Sequence, residues 1–144
     1  MFTLKSYSCE QTEKIGESFA KTLKGTETIA LYGDLGAGKT AFVRGIAKGL
    51  GVFDSVSSPT FAIVNHYKGK FNIFHFDMYR IETLDDLYSI GFFDYQDTGI
   101  LLIEWSENIE AILDENVIKV KIDKSSNENE RNLTFLGIEN FLLL

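Results

Sequence analysis

The chain reads as an α/β domain: a central sheet containing parallel strands, flanked by helices and extended by antiparallel hairpin strands. Three observations predict this class. The short apolar runs Thr28-Ile29-Ala30-Leu31-Tyr32 and Ile100-Leu101-Leu102-Ile103 have the near-continuous hydrophobicity of strands buried on both faces, as parallel strands are. Segments with helical spacing of apolar residues alternate with these runs. Two pairs of alternating segments, each joined by a polar stretch, have the form of hairpins.

Taken in order, Met1 to Tyr7 alternates like a strand. Ser8-Cys9-Glu10-Gln11 has the form of a capping box, and Ile15, Phe19, Ala20 and Leu23 mark one face of a helix that Gly25 can end. The strand Thr28–Tyr32 leads through a glycine-rich loop into a helix marked by Phe42, Val43, Ile46, Ala47 and Leu50, with Gly51 as its stop. Thr60 to Tyr67 and Phe71 to Phe76, separated by Lys68-Gly69-Lys70, form a hairpin whose alternation puts His75 and Asp77 on one face. Thr83-Leu84-Asp85-Asp86 starts a short helix with Leu87 and Ile90 inward and Gly91 closing it. After Ile100–Ile103, residues Ile109, Ile112 and Leu113 suggest one or two more helical turns. Val117 to Ile122 and Leu133 to Ile138 are the last strands, with the polar 123–130 segment expected as a mobile hairpin loop. Phe141 to Leu144 is expected in packed core or an interface.

At 144 residues the expectation is one domain spanning 1–144, able to bury about two-thirds of its unfolded surface. The content of 44% hydrophobic and 24% charged residues is that of a globular protein, and no apolar run approaches the roughly 18 residues of a membrane span. The first residues lack the basic-then-apolar plan of a secretory signal, so a cytoplasmic address is expected. Cys9 is the single cysteine, which excludes an internal disulfide and a cysteine-based zinc site and leaves a bystander thiol. A net charge of −7 argues against an independent nucleic-acid binder, because such affinity needs basic residues that displace counterions. Arg44, Arg80 and Arg131 are the three guanidinium groups available for bidentate contacts.

The loop between strand and helix carries the chemistry. Gly33-Asp34-Leu35-Gly36-Ala37-Gly38-Lys39-Thr40 satisfies the Gly-x-x-x-x-Gly-Lys-Thr pattern of a phosphate cradle. The glycines let backbone N–H groups turn toward phosphate oxygens, Lys39 reaches the β- and γ-phosphates, and Thr40 places its hydroxyl on Mg²⁺. Glu104, directly after four apolar residues, stands where a P-loop protein ends its metal-organising strand in an acid. Asp77 reads equally as a capped strand end salt-bridged to Arg80, or as the group that orients water or a substrate hydroxyl near the γ-phosphate. Lys39, Asp77 and Glu104 are the candidate catalytic residues, with Thr40 and Glu104 the candidate metal ligands. His66 and His75 are read as core or hydrogen-bonding histidines without a catalytic role, and Trp105 as packed core ahead of an exposed stacking surface. Ser58-Pro59-Thr60 is either a loop feeding a strand or a switch segment that senses the γ-phosphate.

Four motifs together carry a family resemblance: Gly-Asp-Leu-Gly-Ala-Gly-Lys-Thr at 33–40, Ser-Pro-Thr-Phe at 58–61, His-Phe-Asp-Met-Tyr-Arg at 75–80 and Ile-Glu-Trp at 103–105. In their order and spacing the chain resembles the TsaE family from about residue 8 to 138, bacterial P-loop ATPases required for threonylcarbamoyladenosine formation in tRNA. The resemblance implies that Lys39 and the amides of Gly33, Asp34, Leu35, Gly36, Ala37 and Gly38 hold ATP phosphates. It implies that Thr40 and Glu104 hold Mg²⁺, and that Thr60 and Asp77 belong to the switch and catalytic region. It also puts Thr12 and Arg131 near the nucleotide and matches Trp105 to the tryptophan after the metal-site glutamate. The partners it implies are TsaD and TsaB, with tRNA reached indirectly through them and no membrane. A small-molecule or nucleoside kinase is the alternative, with Asp77 as base and Arg80 as phosphate clamp, although no arginine-rich lid segment is present. The absence of Asn-Lys-x-Asp and Asp-x-x-Gly motifs speaks against a guanine-specific switch.

Overall fold

The computed structural model describes residues 1–34, 36–52, 56 and 64–141. Seven strands form one sheet: β1 (Phe2–Ser6), β2 (Thr28–Tyr32), β3 (Val64–Lys68), β4 (Asn72–Asp77), β5 (Ile100–Glu104), β6 (Ile118–Lys124) and β7 (Arg131–Leu136). Their spatial order is β1-β7-β6-β2-β5-β4-β3, with β2 parallel to both β5 and β6 and β4 parallel to β5. The β1/β7, β6/β7 and β3/β4 pairs are antiparallel, so the expected mixture of a parallel centre and hairpin extensions is what forms. The helices among the described residues are α1 (Cys9–Ala20), α2 (Lys39–Gly49), α3 (Leu84–Ser89), α4 (Phe92–Tyr95) and a 3₁₀ helix (Ser106–Ile112).

The strand alternation sorts the core onto two faces. Ile29 and Leu31 of β2, Ile100 and Leu102 of β5, Val120 and Ile122 of β6, and Leu133 and Phe135 of β7 point to the side covered by α1 and α2. Phe74 and Phe76 of β4 with Leu101 and Ile103 of β5 point the other way, under α3, α4 and the 3₁₀ helix. Helices α1 and α2 meet at backbone distance: a Cβ on Gly45 would stand 1.9 Å from the Glu13 carbonyl oxygen. That contact fixes α2, and the loop preceding it, against α1.

Local signals explain most boundaries. Ser8 caps α1 by accepting from the Gln11 amide, and the Gln11 side chain accepts from the Tyr7 amide, one residue before the reciprocal arm of a standard capping box. The helix stops at Ala20, short of the expected Gly25, because the Glu27 carboxylate collects the amides of Lys24, Gly25 and Thr26 into a turn. At Thr83 and Asp86 both arms of the capping box are made. The four-residue helix α4, not foreseen from the sequence, starts at Gly91. The expected mobile segment 123–130 is shorter and tied: β6 runs on to Lys124 and β7 begins at Arg131. Ser125 and Glu130 bond through both backbone and side chains, and Lys5 pairs with Glu130 at 3.7 Å. Phe141 packs on Phe2, Phe19 and Phe135, as core, while 142–144 lie outside the described residues.

Candidate functional site

The loop joining β2 to α2 sits at the carboxyl ends of the parallel strands, where open α/β sheets place their ligand crevice. Gly33, at φ +144°, permits a path that other residues resist, and a Cβ there would fall 2.5 Å from the Ile122 carbonyl oxygen on the neighbouring strand. The Ala37 amide closes a turn on the Asp34 carbonyl at 3.0 Å. Gly38, the N-cap of α2 at φ +109°, has no side chain to cap the first-turn amides. A helix start with no side-chain cap, bearing the positive end of the helix dipole, is suited to an anion. Lys39 is buried and extends back along the loop, donating from Nζ to the Gly33 carbonyl at 2.8 Å.

Opposite the loop, the β4/β5 register places two carboxylates side by side. Asp77 is the direct parallel partner of Glu104. Both lie on the α1/α2 face, because Ile73 and Ile100, paired lower in the same register, belong to that core. A cleft of ≈ 560 Å³ is lined by Gly36, Gly38, Lys39 and Thr40 on one side and by Asp77, Tyr79, Glu104 and Trp105 on the other, with Cys9 and Arg44 at its margin. Four residues singled out in the sequence, Lys39, Thr40, Asp77 and Glu104, thus share one cavity.

The remaining expectations divide. Thr12 is buried, with its Oγ1 2.7 Å from Ser6 Oγ, and its methyl would be 3.9 Å from a Cβ on Gly38. It supports the loop from behind rather than lining the cleft. Arg131 donates from Nε to the Ala37 carbonyl at 3.0 Å and from its terminal nitrogen to the carbonyls of Glu128 and Glu130. Its guanidinium therefore braces the loop by its backbone. Leu35, Thr60 and the whole Ser58 to Phe61 motif lie outside the described residues. Asp77 accepts from the Tyr79 amide at 3.0 Å, a turn-capping bond, but no ion pair joins it to Arg80.

Trp105 meets the packed-core expectation in part: it packs against the second-face cluster and also lines the cleft. It is half-buried, with φ +59°, and its ring lies 4.8 Å from Lys39 Nζ and 5.0 Å from the Tyr79 ring. A left-handed turn straight after β5 rotates the indole out of the sheet and onto the cleft wall. Tyr79, at 61% exposure, is a wall residue that sequence reasoning passed over, although its place two residues after Asp77 was a usable signal.

The histidines separate. His66 stacks on Phe74 at 4.6 Å on one face of the hairpin, whereas His75 is fully buried on the other, with Nε2 2.6 Å from Glu104 Oε2. Both are hydrogen-bonding histidines as expected, but the partner of His75 is a site residue. Beyond the cleft, Tyr32 donates to Glu110, which also accepts from Lys119 at 2.6 Å. Burial and then the adjacent Glu110 carboxylate push the Tyr32 phenol well above its ordinary range. The Lys119 and Tyr32 hydrogen bonds hold Glu110 below its ordinary value. This bond ties the strand that enters the loop to the helix that follows Glu104.

Fold and loop together define the class: an α/β domain with one mixed seven-stranded sheet, whose glycine-rich loop faces an acid-ended parallel strand. The family model described as threonylcarbamoyl adenosine biosynthesis protein TsaE matches residues 6–133. A Rickettsia prowazekii protein named for tRNA threonylcarbamoyladenosine biosynthesis, TsaE, is 40% identical over 99% of this chain and 97% of its own length. A Bacillus subtilis protein of the same name is 38% identical over 91% of this chain and 82% of its own. The crystal structure of Bacillus subtilis YdiB superposes with a TM-score of 0.76 at 31% identity, covering 99% of this chain and 89% of that one. The chain belongs to the TsaE family, whose role is in the biosynthesis of threonylcarbamoyladenosine in tRNA.

Proposed function

We propose that the protein binds ATP with Mg²⁺ in this cleft and hydrolyses it slowly, in the service of tRNA threonylcarbamoyladenosine formation by a TsaD–TsaB complex. The observation that carries this reading is the convergence of Lys39, Thr40, Asp77 and Glu104 on one cavity at a helix start without a side-chain cap. The donor set suits the ligand. Backbone amides and one buried ammonium face a polyanion, while a hydroxyl and a carboxylate offer the hard oxygen ligands that Mg²⁺ takes.

In this reading Lys39 exchanges its bond to the Gly33 carbonyl for the β- and γ-phosphates, and the first-turn amides of α2 hold the remaining phosphate oxygens. Thr40 and Glu104 would hold the metal. Bound there, Mg²⁺ would supply neutralisation of phosphate charge. Asp77 orients the attacking water, and Trp105 and Tyr79 wall it from bulk solvent. Arg131 and Thr12 keep the loop in shape without touching the reacting atoms.

Slow turnover follows from the lining. Among the described residues its cations are Lys39 and Arg44, and an arginine supplied in trans is worth about 10³ to 10⁵ in rate. The net charge of −7 favours docking to a protein partner that makes the tRNA contacts itself. Lys39→Ala removes the thermal stabilisation by Mg²⁺-ATP that wild type shows, since only a ligand bound to the native state raises stability by mass action. A variant that keeps the full shift refutes the cradle. Asp77→Ala retains that shift and loses phosphate release, and TsaD–TsaB accelerates or gates release by wild type. Transfer of phosphate to a nucleoside with no free phosphate released would support the kinase alternative instead.

A further inference from the structure

The buried contact between His75 and Glu104 is used by none of the steps above. His75 is opposite Leu102 in the parallel β4/β5 register, and Glu104 lies two residues further along the same face. The imidazole therefore reaches the carboxylate diagonally across the sheet, with Nε2 2.6 Å from Oε2. Both groups are out of solvent: the His75 side chain is 0% exposed and that of Glu104 7%. Ile73, Ile100 and Leu102, all fully buried, share this face with the pair.

A third strand continues the line. Tyr67 of β3, itself buried, has its hydroxyl 3.5 Å from His75 Nδ1 and accepts from Asn65 Nδ2 at 3.4 Å. A carboxylate oxygen accepts, so the 2.6 Å contact places the ring proton on Nε2, directed at Glu104, and leaves Nδ1 as the nitrogen facing the phenol.

We propose that His75 is a positioning residue for the metal-holding carboxylate: backed by Tyr67 at its Nδ1, it donates Nε2–H to Glu104 Oε2 and so fixes the plane in which Glu104 would meet Mg²⁺. The proposal rests on the reading of Glu104 given above. The physical need is clear, since the terminal torsion of a glutamate is broad and two-fold, and an unheld carboxylate spreads over orientations of which few suit a metal. Outer partners of metal ligands are typically worth roughly 10–100-fold in metal affinity.

The test compares full-length wild type with His75→Phe, His75→Gln and Tyr67→Phe. For each, Mg²⁺ is titrated in the presence of ATP and the concentration giving half-maximal thermal stabilisation is read, alongside ATP stabilisation in EDTA. His75→Phe is expected to raise the Mg²⁺ requirement roughly 10–100-fold while leaving stabilisation by metal-free ATP unchanged. His75→Gln, whose amide nitrogen can stand near the Nε2 position, restores most of the loss, and Tyr67→Phe shows a smaller shift in the same direction. An unchanged Mg²⁺ requirement in His75→Phe overturns the proposal, as does an equal loss in EDTA or a glutamine variant that rescues nothing. Should His75→Phe not fold, a wild-type Mg²⁺ requirement in Tyr67→Phe overturns it. Wild type that ATP stabilises equally with Mg²⁺ and in EDTA is a different result, removing the metal reading of Glu104, and wild type that ATP does not stabilise at all removes the nucleotide reading itself.

Discussion

The two faces of the sheet both pack aromatic rings, Phe19, Phe42 and Phe135 on one and Phe74, Phe76 and Phe92 on the other, but differ in how closely backbones meet. On one, α1 and α2 pack backbone against backbone through Gly45, and every cleft residue contributed by the strands points toward them. On the other, Phe74, Phe76, Phe92 and Tyr95 fill the space beneath short helices with rings meeting at 4.8 to 5.3 Å. Backbone contact leaves no slack, so the first face holds loop and carboxylates in register. Aromatic packing supplies buried area but fixes no backbone as closely, and the second face carries stability more than geometry.

The largest expected effect strikes the second face. Phe76→Ala removes a fully buried ring and should cost about 3–5 kcal/mol in urea unfolding, while Mg²⁺-ATP still raises the melting temperature of the folded fraction. Loss of the nucleotide response along with stability would erase the distinction between the faces. Gly45→Ala should cost less, about 1–3 kcal/mol, because α2 must move off α1 to admit one methyl. Its nucleotide-induced shift should nevertheless fall further than that of Phe76→Ala, and a full shift would break the comparison. Thr83→Ala deletes the cap of α3 on the second face and should cost about 1 kcal/mol with no change in the nucleotide response.

The smallest effect concerns Glu110. Its folded-state pKa is depressed below the ordinary 4.5 by Lys119 and then Tyr32, so its contribution is present above that value and is lost as pH falls through the folded pKa. The side chain is 48% exposed, which limits the contribution to below about 1 kcal/mol. Glu110→Gln should therefore lower stability slightly at neutral pH, leave it unchanged below the folded pKa, and so flatten the acid limb of a stability-versus-pH curve. A steeper acid limb in the variant would contradict this sign.

Much of the second face was illegible in the sequence. Helix α4 is too short for a periodic signal and begins at Gly91, which reads as the end of α3. Trp105 reads as core because tryptophans are mostly buried, and nothing local announces the left-handed backbone at this position or its place on the cleft. The segment 123–130 looked mobile from its polarity. The Glu130 carboxylate, 7% exposed and bonded to Ser125, holds it through contacts that composition does not display.

By itself the sequence determined the parts whose physics is local. The spacing of Gly33 to Thr40 encodes a loop that exposes amides at a helix start, and the apolar runs before the loop and before Glu104 encode buried parallel strands. The cap at Thr83 needs only residues three apart. Tertiary structure alone decided the pairings between distant positions. The β4/β5 register sets His75 against Glu104 across 29 residues, and the β6/β7 hairpin carries Arg131 to Ala37 across 94. Periodicity states which face a side chain takes but not which neighbour it meets. That choice is made when strands pair, because a shift of one residue in register would turn the whole face over.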